Sequence, residues 1–300
     1  MTASRISLSP RVALVTGAGQ GLGRAHALAL ARHGAIVAVN DLSCEDAQSV
    51  AQEIVGSGGQ AMACPANVAD PDSVNAMIDS VMTRYGRIDI LVNNAGILRD
   101  RTFAKSTIED FRAVIDVNLM GSVHCTHAVW NLMRERQYGR IVFTTSSSGL
   151  YGNFGQANYS AAKMGLVGLM QTLAIEGKRH GIHVNCLAPS AATGMTSGLY
   201  DSGDLARLGS GMVAPAVVAL CAQEAPTRAI ILAGAGRFAQ AHVTMTRGTY
   251  LNGEQDIAAA VLSHMDRIGD RDGDHVPASG PEQHQMEVAG LKHFANVPLI

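Results

Sequence analysis

Short apolar runs alternate with longer segments of helical periodicity from residue 11 to residue 232, and this alternation restricts the fold more than any other feature. The apolar runs are continuous, as in strands that helices cover on both faces. Strands that alternate with helices form a parallel, doubly wound α/β sheet through right-handed crossovers. We predict strands at 11–16, 35–41, 61–66, 88–93, 140–146, 182–188 and 229–232. We predict helices at 22–33, 45–56, 72–85, 108–136, 157–180 and 212–223.

The end of the chain has a different, more polar character. We therefore predict one Rossmann-type catalytic domain over residues 1–250 and a helical or irregular extension over 251–300. Four of the eleven histidines lie in this extension, which favours a solvated or partner-packed tail and leaves a metal site as the alternative. A calcium loop is excluded, because its sixth position is His275 instead of glycine and its twelfth is Pro281 instead of glutamate. We predict no metal site.

Composition excludes several classes of function. A formal net charge of −2 provides no general attraction to nucleic acid or to an anionic membrane. The first residues lack an apolar leader segment, and no apolar run reaches the ~18 residues of a membrane span. Five scattered cysteines without zinc-like spacing predict reduced thiols in a cytoplasmic protein. The partner that we expect is a small-molecule substrate.

A glycine-rich turn, Thr16-Gly17-Ala18-Gly19-Gln20-Gly21-Leu22-Gly23, directly follows the first predicted strand and leads into the first helix. Backbone N–H groups of such a turn can approach a pyrophosphate closely, and the helix N-terminus stabilises its charge. The turn lacks G-x-x-x-x-G-K-[ST], so it is not a triphosphate-binding loop. The residues that we predict to contact the cofactor here are Gly17, Gln20, Gly21, Leu22 and Gly23.

An acidic residue, Asp41, ends the second predicted strand, eighteen residues beyond Gly23 (41 − 23). A carboxylate at this position accepts hydrogen bonds from both hydroxyls of an adenosine ribose and repels a 2′-phosphate. Residues 38–44 contain no arginine or lysine that would compensate, and Gln20 adds no cation. This pattern favours NAD over NADP. The alternative, in which Asp41 is an ordinary strand-end or helix-capping acid, leaves the choice of cofactor open.

The candidate catalytic residues are Tyr159 and Lys163, which are four apart in a predicted helix and therefore share one face. This pair alone is weak support, because the spacing arises readily by chance. The conjunction is more informative: Ser146 ends the fifth predicted strand thirteen residues earlier (159 − 146), and Asn118 lies in the preceding predicted helix. Taken alone, Asn118 can equally cap or kink that helix.

The chemistry of a secondary alcohol explains why a tyrosine and a lysine would be paired. Such an alcohol gives up hydride only as its proton leaves, so a base must contact the oxygen. The pKa of free tyrosine, about 10, is too high for this role near neutrality. A nearby ammonium on Lys163 and a positive nicotinamide ring both favour phenolate, so we expect a lowered pKa for Tyr159.

These features resemble the short-chain dehydrogenase/reductase family over residues 8–248. The motifs that match in order and spacing are the glycine-rich turn, Asn118, Ser146, Tyr159-x-x-x-Lys163, Asn93-Asn94-Ala95-Gly96 and Ala188-Pro189. The resemblance implies seven strands in the order 3-2-1-4-5-6-7. It also implies that Lys163 holds the nicotinamide ribose, Ser146 orients the reacting oxygen and Asn118 anchors a water that relays protons.

The resemblance implies further cofactor contacts after the third, fourth and sixth strands. Asn67 stands where the family often has aspartate beside the adenine, so this match is imperfect. For the residues after the fourth strand, packing at the strand end is the alternative to contact with the ribose. The cofactor-binding residues implied in this way are Asn67, Val68, Asn94, Ala95, Gly96 and Pro189, together with Tyr159 and Lys163.

A narrower resemblance concerns the substrate. The segments 96–101, 151–163 and 173–177 are similar to the (3R)-hydroxyacyl-CoA dehydrogenase domains of peroxisomal multifunctional β-oxidation enzymes and their bacterial relatives. This implies oxidation of a 3-hydroxyacyl-CoA, with a fatty or steroid side chain, to the 3-ketoacyl-CoA. The alternatives are a hydroxysteroid dehydrogenase acting on unesterified substrate, a 3-oxoacyl-carrier reductase, which Asp41 disfavours, and a non-catalytic NAD-binding redox sensor.

Two expectations concern the surroundings of the site. Residues 190–212 are predicted to form a substrate lid, or else a merely flexible surface loop. The family resemblance implies a homodimer or homotetramer built on the helices 108–136 and 157–180. The apolar contacts expected from the lid are Met195, Leu199, Tyr200 and Leu205.

Overall fold

A computed structural model describes residues 6–191, 208–251 and 254–291. The chain divides into two compact units, Met1–Ala241 and His242–Ile300. This division precedes the predicted boundary at residue 250, because the sheet of the first unit ends with a strand at Ala241. The assignment of a catalytic domain and an extension to the two parts stays a prediction. The predicted lid contacts Met195, Leu199, Tyr200 and Leu205 lie outside the described residues.

The first unit contains a single sheet, in which the predicted strand order 3-2-1-4-5-6-7 is confirmed. An eighth strand, which we did not predict, adds to this order and pairs antiparallel with the seventh. It was missed because it lies at the sheet edge with exposed positions such as Arg237 and Phe238 instead of an apolar run. The strands are β1 Val12–Val15, β2 Ile36–Val39, β3 Gln60–Ala63, β4 Ile90–Asn93, β5 Gly139–Thr144, β6 Ile182–Pro189, β7 Ile230–Gly234 and β8 Arg237–Ala241.

Helices cover both faces of this sheet. Within the described residues of the first unit, the α-helices are α1 Gly21–Arg32, α2 Cys44–Gly56, α3 Pro71–Tyr85, α4 Ile108–Ile115, α5 Gly121–Arg136, α6 Ser147–Tyr151, α7 Ala157–Gly177 and α8 Ala214–Cys221. Successive residues of β1 belong to two different cores: Ala13 and Val15 pack with α1, α2 and α8, while Val12 and Leu14 pack with α3, α5 and α7. Burial on both faces explains why the strands read as continuous apolar runs.

The predicted helix over 108–136 is interrupted. A π-helical turn, Asp116–Met120, separates α4 from α5. The sequence contains neither proline nor glycine within this turn, so helical periodicity alone did not reveal it. Turns of this kind occur frequently at functional sites. Its one fully buried residue is Asn118.

The second unit contains three further helices, α9 Ile257–Ser263, α10 Met265–Ile268 and α11 Gly280–Leu291. The first of these helices begins at Ile257, and the side chain of Asp256 caps it by accepting from Ala259 N. Met245 and His275 form an isolated antiparallel bridge. Among the described residues of the chain, every helix is too short or too polar to cross a membrane.

Candidate active site

The carboxyl ends of the parallel strands share one edge, where a cleft of about 530 Å³ opens. Ligands of doubly wound sheets bind at this edge because the loops there are free to converge. The structure brings all the predicted site residues into the lining of this one cleft. They are Gly17, Gln20, Gly21, Leu22, Gly23, Asp41, Asn67, Val68, Asn94, Ala95, Gly96, Asn118, Ser146, Tyr159, Lys163 and Pro189.

The glycine-rich turn lies between β1 and α1 with its backbone packed too closely for side chains. Gly17 and Gly21 have φ angles of 59° and 56°, in the left-handed region that favours glycine. A Cβ on Gly23 would lie 2.1 Å from the carbonyl oxygen of Gly17. The turn can therefore present backbone N–H groups at the start of α1 to an anion.

Asn94 holds this turn against the end of β4. Its Nδ2 donates to the carbonyl oxygens of Thr16 and Gly17, 3.0 Å from each. In return, Thr16 Oγ1 accepts from the main-chain N–H groups of Asn94 and Ala95. Asn94 therefore packs at the end of the strand, as in the alternative given above, and its hydrogen bonds hold the turn in shape.

Asp41 connects the glycine-rich turn to the start of α2. Its Oδ2 accepts from Gly19 N at 2.9 Å and its Oδ1 accepts from Ser43 N at 3.1 Å. Arg24, in the first helix, is paired with Glu53 at 2.6 Å. The carboxylate therefore remains a negative group in the cleft wall and retains lone pairs for further donors.

The pocket wall after β3 is formed by Asn67 and Val68. Asn67 Oδ1 accepts from Ala69 N at 3.0 Å, which fixes the side chain in a local turn and leaves one oxygen lone pair. Nδ1 of His124, in α5, lies 3.0 Å from the carbonyl oxygen of Val68. We did not predict this histidine, because its position in the middle of a helix has no sequence signal.

Asn118 projects from the π-helical turn into the base of the cleft. Its Nδ2 donates to the carbonyl oxygens of Ile97 and Val114, 3.0 Å from each. Its buried Oδ1 has no hydrogen-bond partner among the described residues. This oxygen and Lys163 Nζ both lie within 3.5 Å of the point that a Cβ on Gly96 would occupy. The side chain thus offers one acceptor beside the lysine.

Lys163 is fully enclosed beneath the cleft. Its Nζ donates to the carbonyl oxygen of Thr144 at 2.8 Å and lies 5.4 Å from the centre of the Tyr159 ring. Burial lowers the pKa of Lys163 from 10.5 to about 8. A lysine with this pKa exchanges protons close to neutrality, which suits a role in proton transfer.

Tyr159 and Ser146 both line the cleft, and the Ser146 hydroxyl is close enough to the phenol to affect its pKa. Burial raises the pKa of Tyr159 to about 12, while the hydrogen bond with Ser146 lowers it and the charge of Asp100 raises it. Our expectation of a lowered pKa is therefore wrong for the protein's own groups. The physical reason is that loss of solvent around the phenol outweighs Ser146, while the ammonium of Lys163 is directed at Thr144.

A polar network beside this pair was missed by the sequence analysis. Gln156, almost fully buried, bonds Asp100, Ser148 and Asn153, and it lines the cleft with Ser148 and Asn153. Ser148, Asn153 and Gln156 lie close together in sequence, between the start of α6 and the start of α7, whereas Asp100 lies in the distant loop after β4. The available signal was the run of polar residues shortly before Tyr159, which spacing alone could not distinguish from surface.

The family model of short chain dehydrogenases matches residues 11–202. The chain belongs to the short-chain dehydrogenase family. Members are oxidoreductases that bind a nicotinamide cofactor and act on small molecules, and this protein is one of them.

The protein is 47% identical over 231 residues to peroxisomal multifunctional enzyme type 2 of Mus musculus, covering 73% of this chain and 31% of that protein. It is 49% identical over 195 residues to a 3-oxoacyl-[acyl-carrier-protein] reductase of Synechocystis, covering 64% and 79%.

Two solved structures are similar to this short-chain dehydrogenase. Full-length peroxisomal multifunctional enzyme type 2 of Drosophila melanogaster has a TM-score of 0.80 and 33% identity, covering 96% of this chain and 50% of that one. A gluconate 5-dehydrogenase of Burkholderia cenocepacia, in complex with NADP and tartrate, has a TM-score of 0.72 and 30% identity, covering 77% and 96%. The chain thus spans about a third to a half of the multifunctional relatives.

The cleft of this short-chain dehydrogenase fits a nicotinamide dinucleotide. The left-handed glycines leave space for a pyrophosphate at the start of α1, and Asp41 faces the space where an adenosine ribose would follow. Tyr159, Lys163 and Pro189 line the same cleft, so a dinucleotide lying along it would contact them with its other half. A reacting carbon placed there would lie beside the Tyr159 and Ser146 hydroxyls, as hydride transfer requires.

Proposed function

We propose that this protein oxidises a secondary alcohol to a ketone with NAD, that the substrate is a 3-hydroxyacyl-CoA, and that Tyr159 is the general base. The observation that carries the proposal is that Tyr159, Ser146 and Lys163 line one cleft together, with Lys163 Nζ 5.4 Å from the centre of the Tyr159 ring. A substrate hydroxyl between Tyr159 and Ser146 has a base on one side and a hydrogen-bond partner on the other.

Each residue has a defined task in this mechanism. When NAD is bound, its nicotinamide ring supplies the hydride acceptor and a positive charge. That positive charge would favour the phenolate form of Tyr159, which burial alone disfavours, so that Tyr159 Oη could accept the alcohol proton. Ser146 Oγ orients the alcohol oxygen and stabilises the charge that develops on it. Lys163, whose pKa burial lowers to about 8, passes a proton on towards the free oxygen of Asn118 and a water anchored there.

The choice of NAD over NADP depends on Asp41. A 2′-phosphate would place its charge beside this carboxylate, and the neighbouring Arg24 is already paired with Glu53. The Burkholderia relative was solved with NADP, so membership of the family does not by itself specify NAD, and local charge must decide between the two cofactors. We infer a preference for NAD from that charge.

The acyl-CoA substrate is supported by the similarity to the mouse multifunctional enzyme and by the segments 96–101 and 151–163. The similarity to a 3-oxoacyl-carrier reductase supports the same carbon skeleton, a thioester with oxygen at carbon 3. Such a reductase converts the 3-oxo to the 3-hydroxy form, which is the reverse of the oxidation proposed here. A free hydroxysteroid remains the second substrate candidate, and the redox sensor is the candidate without turnover.

A substrate panel tests the proposal. NADH formation is followed with (3R)- and (3S)-3-hydroxyacyl-CoA esters of several chain lengths, steroid side-chain CoA esters and free hydroxysteroids, each with NAD and NADP. We expect turnover of (3R)-thioesters with NAD. Strong turnover of free sterols without any of the thioesters would overturn the substrate class. Absence of turnover throughout, with NAD still bound, would support the sensor instead.

Assembly and location are also proposals. We propose a homodimer or homotetramer formed through α4, α5 and α7, which light scattering of the purified protein tests directly. A monomeric mass would contradict it. A cytoplasmic location stays a prediction from the sequence, beside the peroxisomal location stated in the mouse relative's name.

A further inference from the structure

The loop after β4 is bonded to the loop that precedes α7. Arg101 N donates to Gly155 O at 2.9 Å, and Asn158 Nδ2 donates to Arg99 O at 3.1 Å. Between these main-chain contacts, Gln156 Nε2 donates to Asp100 Oδ2 at 2.7 Å. Asp100 is exposed, whereas Gln156 is 3% exposed. A surface carboxylate thus holds a buried amide next to the cleft.

The carboxylate determines which way the amide of Gln156 faces. An ionised carboxylate only accepts hydrogen bonds, so the NH₂ group of Gln156 must face Asp100. The amide oxygen then faces the opposite side, where it accepts from Ser148 Oγ at 2.8 Å and from Asn153 Nδ2 at 3.0 Å. The hydroxyl proton of Ser148 is therefore committed to Gln156.

This commitment extends to the catalytic serine. Ser148 lies in the first turn of α6, and its main-chain N–H donates to Ser146 Oγ at 3.1 Å. Because Ser146 Oγ accepts at this point, its own hydroxyl proton remains available to be donated into the cleft. Hydrogen bonds thus connect the surface carboxylate through Gln156 and Ser148 to Ser146, and Ser148 is the donor on both sides: its hydroxyl donates to Gln156 and its main-chain N–H donates to Ser146.

We propose that Asp100 is a positioning residue for the reaction. Its carboxylate orients the Gln156 amide, and that amide holds the Ser148 side chain and with it the first turn of α6. The main-chain N–H of Ser148 in that turn then holds Ser146 Oγ in place beside the reacting oxygen. This role deepens the proposed function and rests on it. Asp100 also acts through its charge, which raises the pKa of Tyr159 alongside burial, against the Ser146 hydrogen bond. Among the described residues, Lys163 Nζ lies 5.4 Å from the centre of the Tyr159 ring, while Arg99 and Arg101 face Asp110.

Paired variants separate the role in orientation from loss of a loop charge. Asp110 is the matched control, because its carboxylate lies 3.8 Å from each of Arg99 and Arg101 on the same loop. We expect Asp100→Ala to lower kcat/KM by roughly 10- to 100-fold, as sub-ångström misplacement of a reacting group does. Asp110→Ala should remain within about twofold of the wild type, as is usual for an exposed ion pair.

Conservative variants test the direction of the bonds. Asp100→Asn keeps an acceptor oxygen, so it should retain activity within about threefold. Because the negative charge that raises the pKa of Tyr159 is gone, the increase of its rate with pH should occur at a lower pH than in the wild type. Gln156→Glu places an acceptor opposite Asp100 and should lose activity. The double variant with Asp100→Asn and Gln156→Glu restores a donor–acceptor pair and should recover most of that loss.

The assay uses whichever alcohol the wild type oxidises fastest, together with crystal structures of the Asp100 variants without substrate. We expect Asp100→Ala to show a rotated Gln156 and a lengthened bond between Ser148 N and Ser146 Oγ. Unchanged positions of these side chains, or equal losses in Asp100→Ala and Asp110→Ala, or no recovery in the double variant, would overturn the proposal. A wild type that oxidises other alcohols but no hydroxyacyl-CoA overturns only the proposed substrate.

Discussion

Lys163 directs its ammonium group at the main-chain carbonyl oxygen of Thr144, 2.8 Å from Nζ, at the end of the strand that leads to Ser146. Its own carbonyl oxygen accepts from Thr145 Oγ1 at 2.6 Å. The lysine is thus bound to the end of β5 through both its side chain and its main chain. These contacts keep the ammonium group of Lys163 at a defined distance from the Tyr159 ring. Burial of that charged group lowers the free energy of unfolding, as its lowered pKa indicates.

Replacing Lys163 by methionine should abolish activity and increase stability. The pKa of Lys163 is about 8 in the fold against 10.5 for the free side chain. As pH falls from 10.5 to 8, the unfolded chain binds the proton first, so stability decreases and stays reduced below pH 8. Allowing for the lost hydrogen bond to Thr144, we expect the free energy of unfolding of Lys163→Met to exceed that of the wild type by about 2 kcal/mol at pH 7. Urea unfolding measures this, and a less stable variant would contradict it.

Replacing Tyr159 by phenylalanine should remove turnover without removing the cofactor. Loss of a general base costs roughly 10²- to 10⁴-fold in kcat. The ring itself remains, so the affinity for NAD, measured by fluorescence quenching, should change by less than about threefold. Tyr151→Phe, on an exposed tyrosine nearby, is the control and should have normal rates. Appreciable activity in Tyr159→Phe would refute the assignment of the base.

Replacing Asp41 by alanine should weaken the preference for NAD. Removing the carboxylate removes its repulsion of a 2′-phosphate and its bonds to the ribose. We expect the ratio of kcat/KM for NAD to that for NADP to fall by roughly 10- to 100-fold, in line with loss of a charged hydrogen bond. Glu45→Gln, on an exposed acid in the first turn of α2, should leave the ratio unchanged. Equal ratios in wild type and Asp41→Ala would contradict our inference.

Replacing Gly23 by alanine should destroy cofactor binding. The added Cβ would lie 2.1 Å from Gly17 O and 2.6 Å from Asn94 Nδ2, so the turn must open. Gly56→Ala is the matched control, because nothing lies within 4 Å of its Cβ at the end of α2. Calorimetric titration with NAD should show no heat for the first variant and an unchanged isotherm for the second. Normal binding by Gly23→Ala would show that the turn is not the pyrophosphate site.

Acid should destabilise the protein through His26. This side chain is fully buried in α1, and neither ring nitrogen has a partner among the described residues. Burial lowers the pKa of His26 from 6.5 to about 4. As pH falls from 6.5 to about 4, the unfolded chain binds a proton at His26 that the folded protein does not. The free energy of unfolding therefore falls over this range, by about 3 kcal/mol in total. His26→Leu should flatten this dependence in urea unfolding at pH 4 to 7, whereas substitution of the exposed His127 should not.

Sequence periodicity determined the order of the elements and the convergence of the site. The strands read as continuous apolar runs because both faces are buried, and parallel strands necessarily bring their carboxyl ends to one edge. Residues predicted from six strand ends, such as Gly17, Asp41 and Ser146, therefore line one cleft. Local spacing was sufficient here because each of these residues follows directly on a strand.

Only the tertiary structure decided the features that depend on contacts between distant segments. The bond between Asp100 and Gln156, the π-helical turn around Asn118 and the edge strand β8 have no periodic signal of their own. The same holds for the pKa of Tyr159, which spacing to Lys163 predicted to fall and burial raises to about 12. The physical reason is that a pKa depends on the solvent removed by every neighbouring element, whereas sequence spacing specifies only which residues share a face.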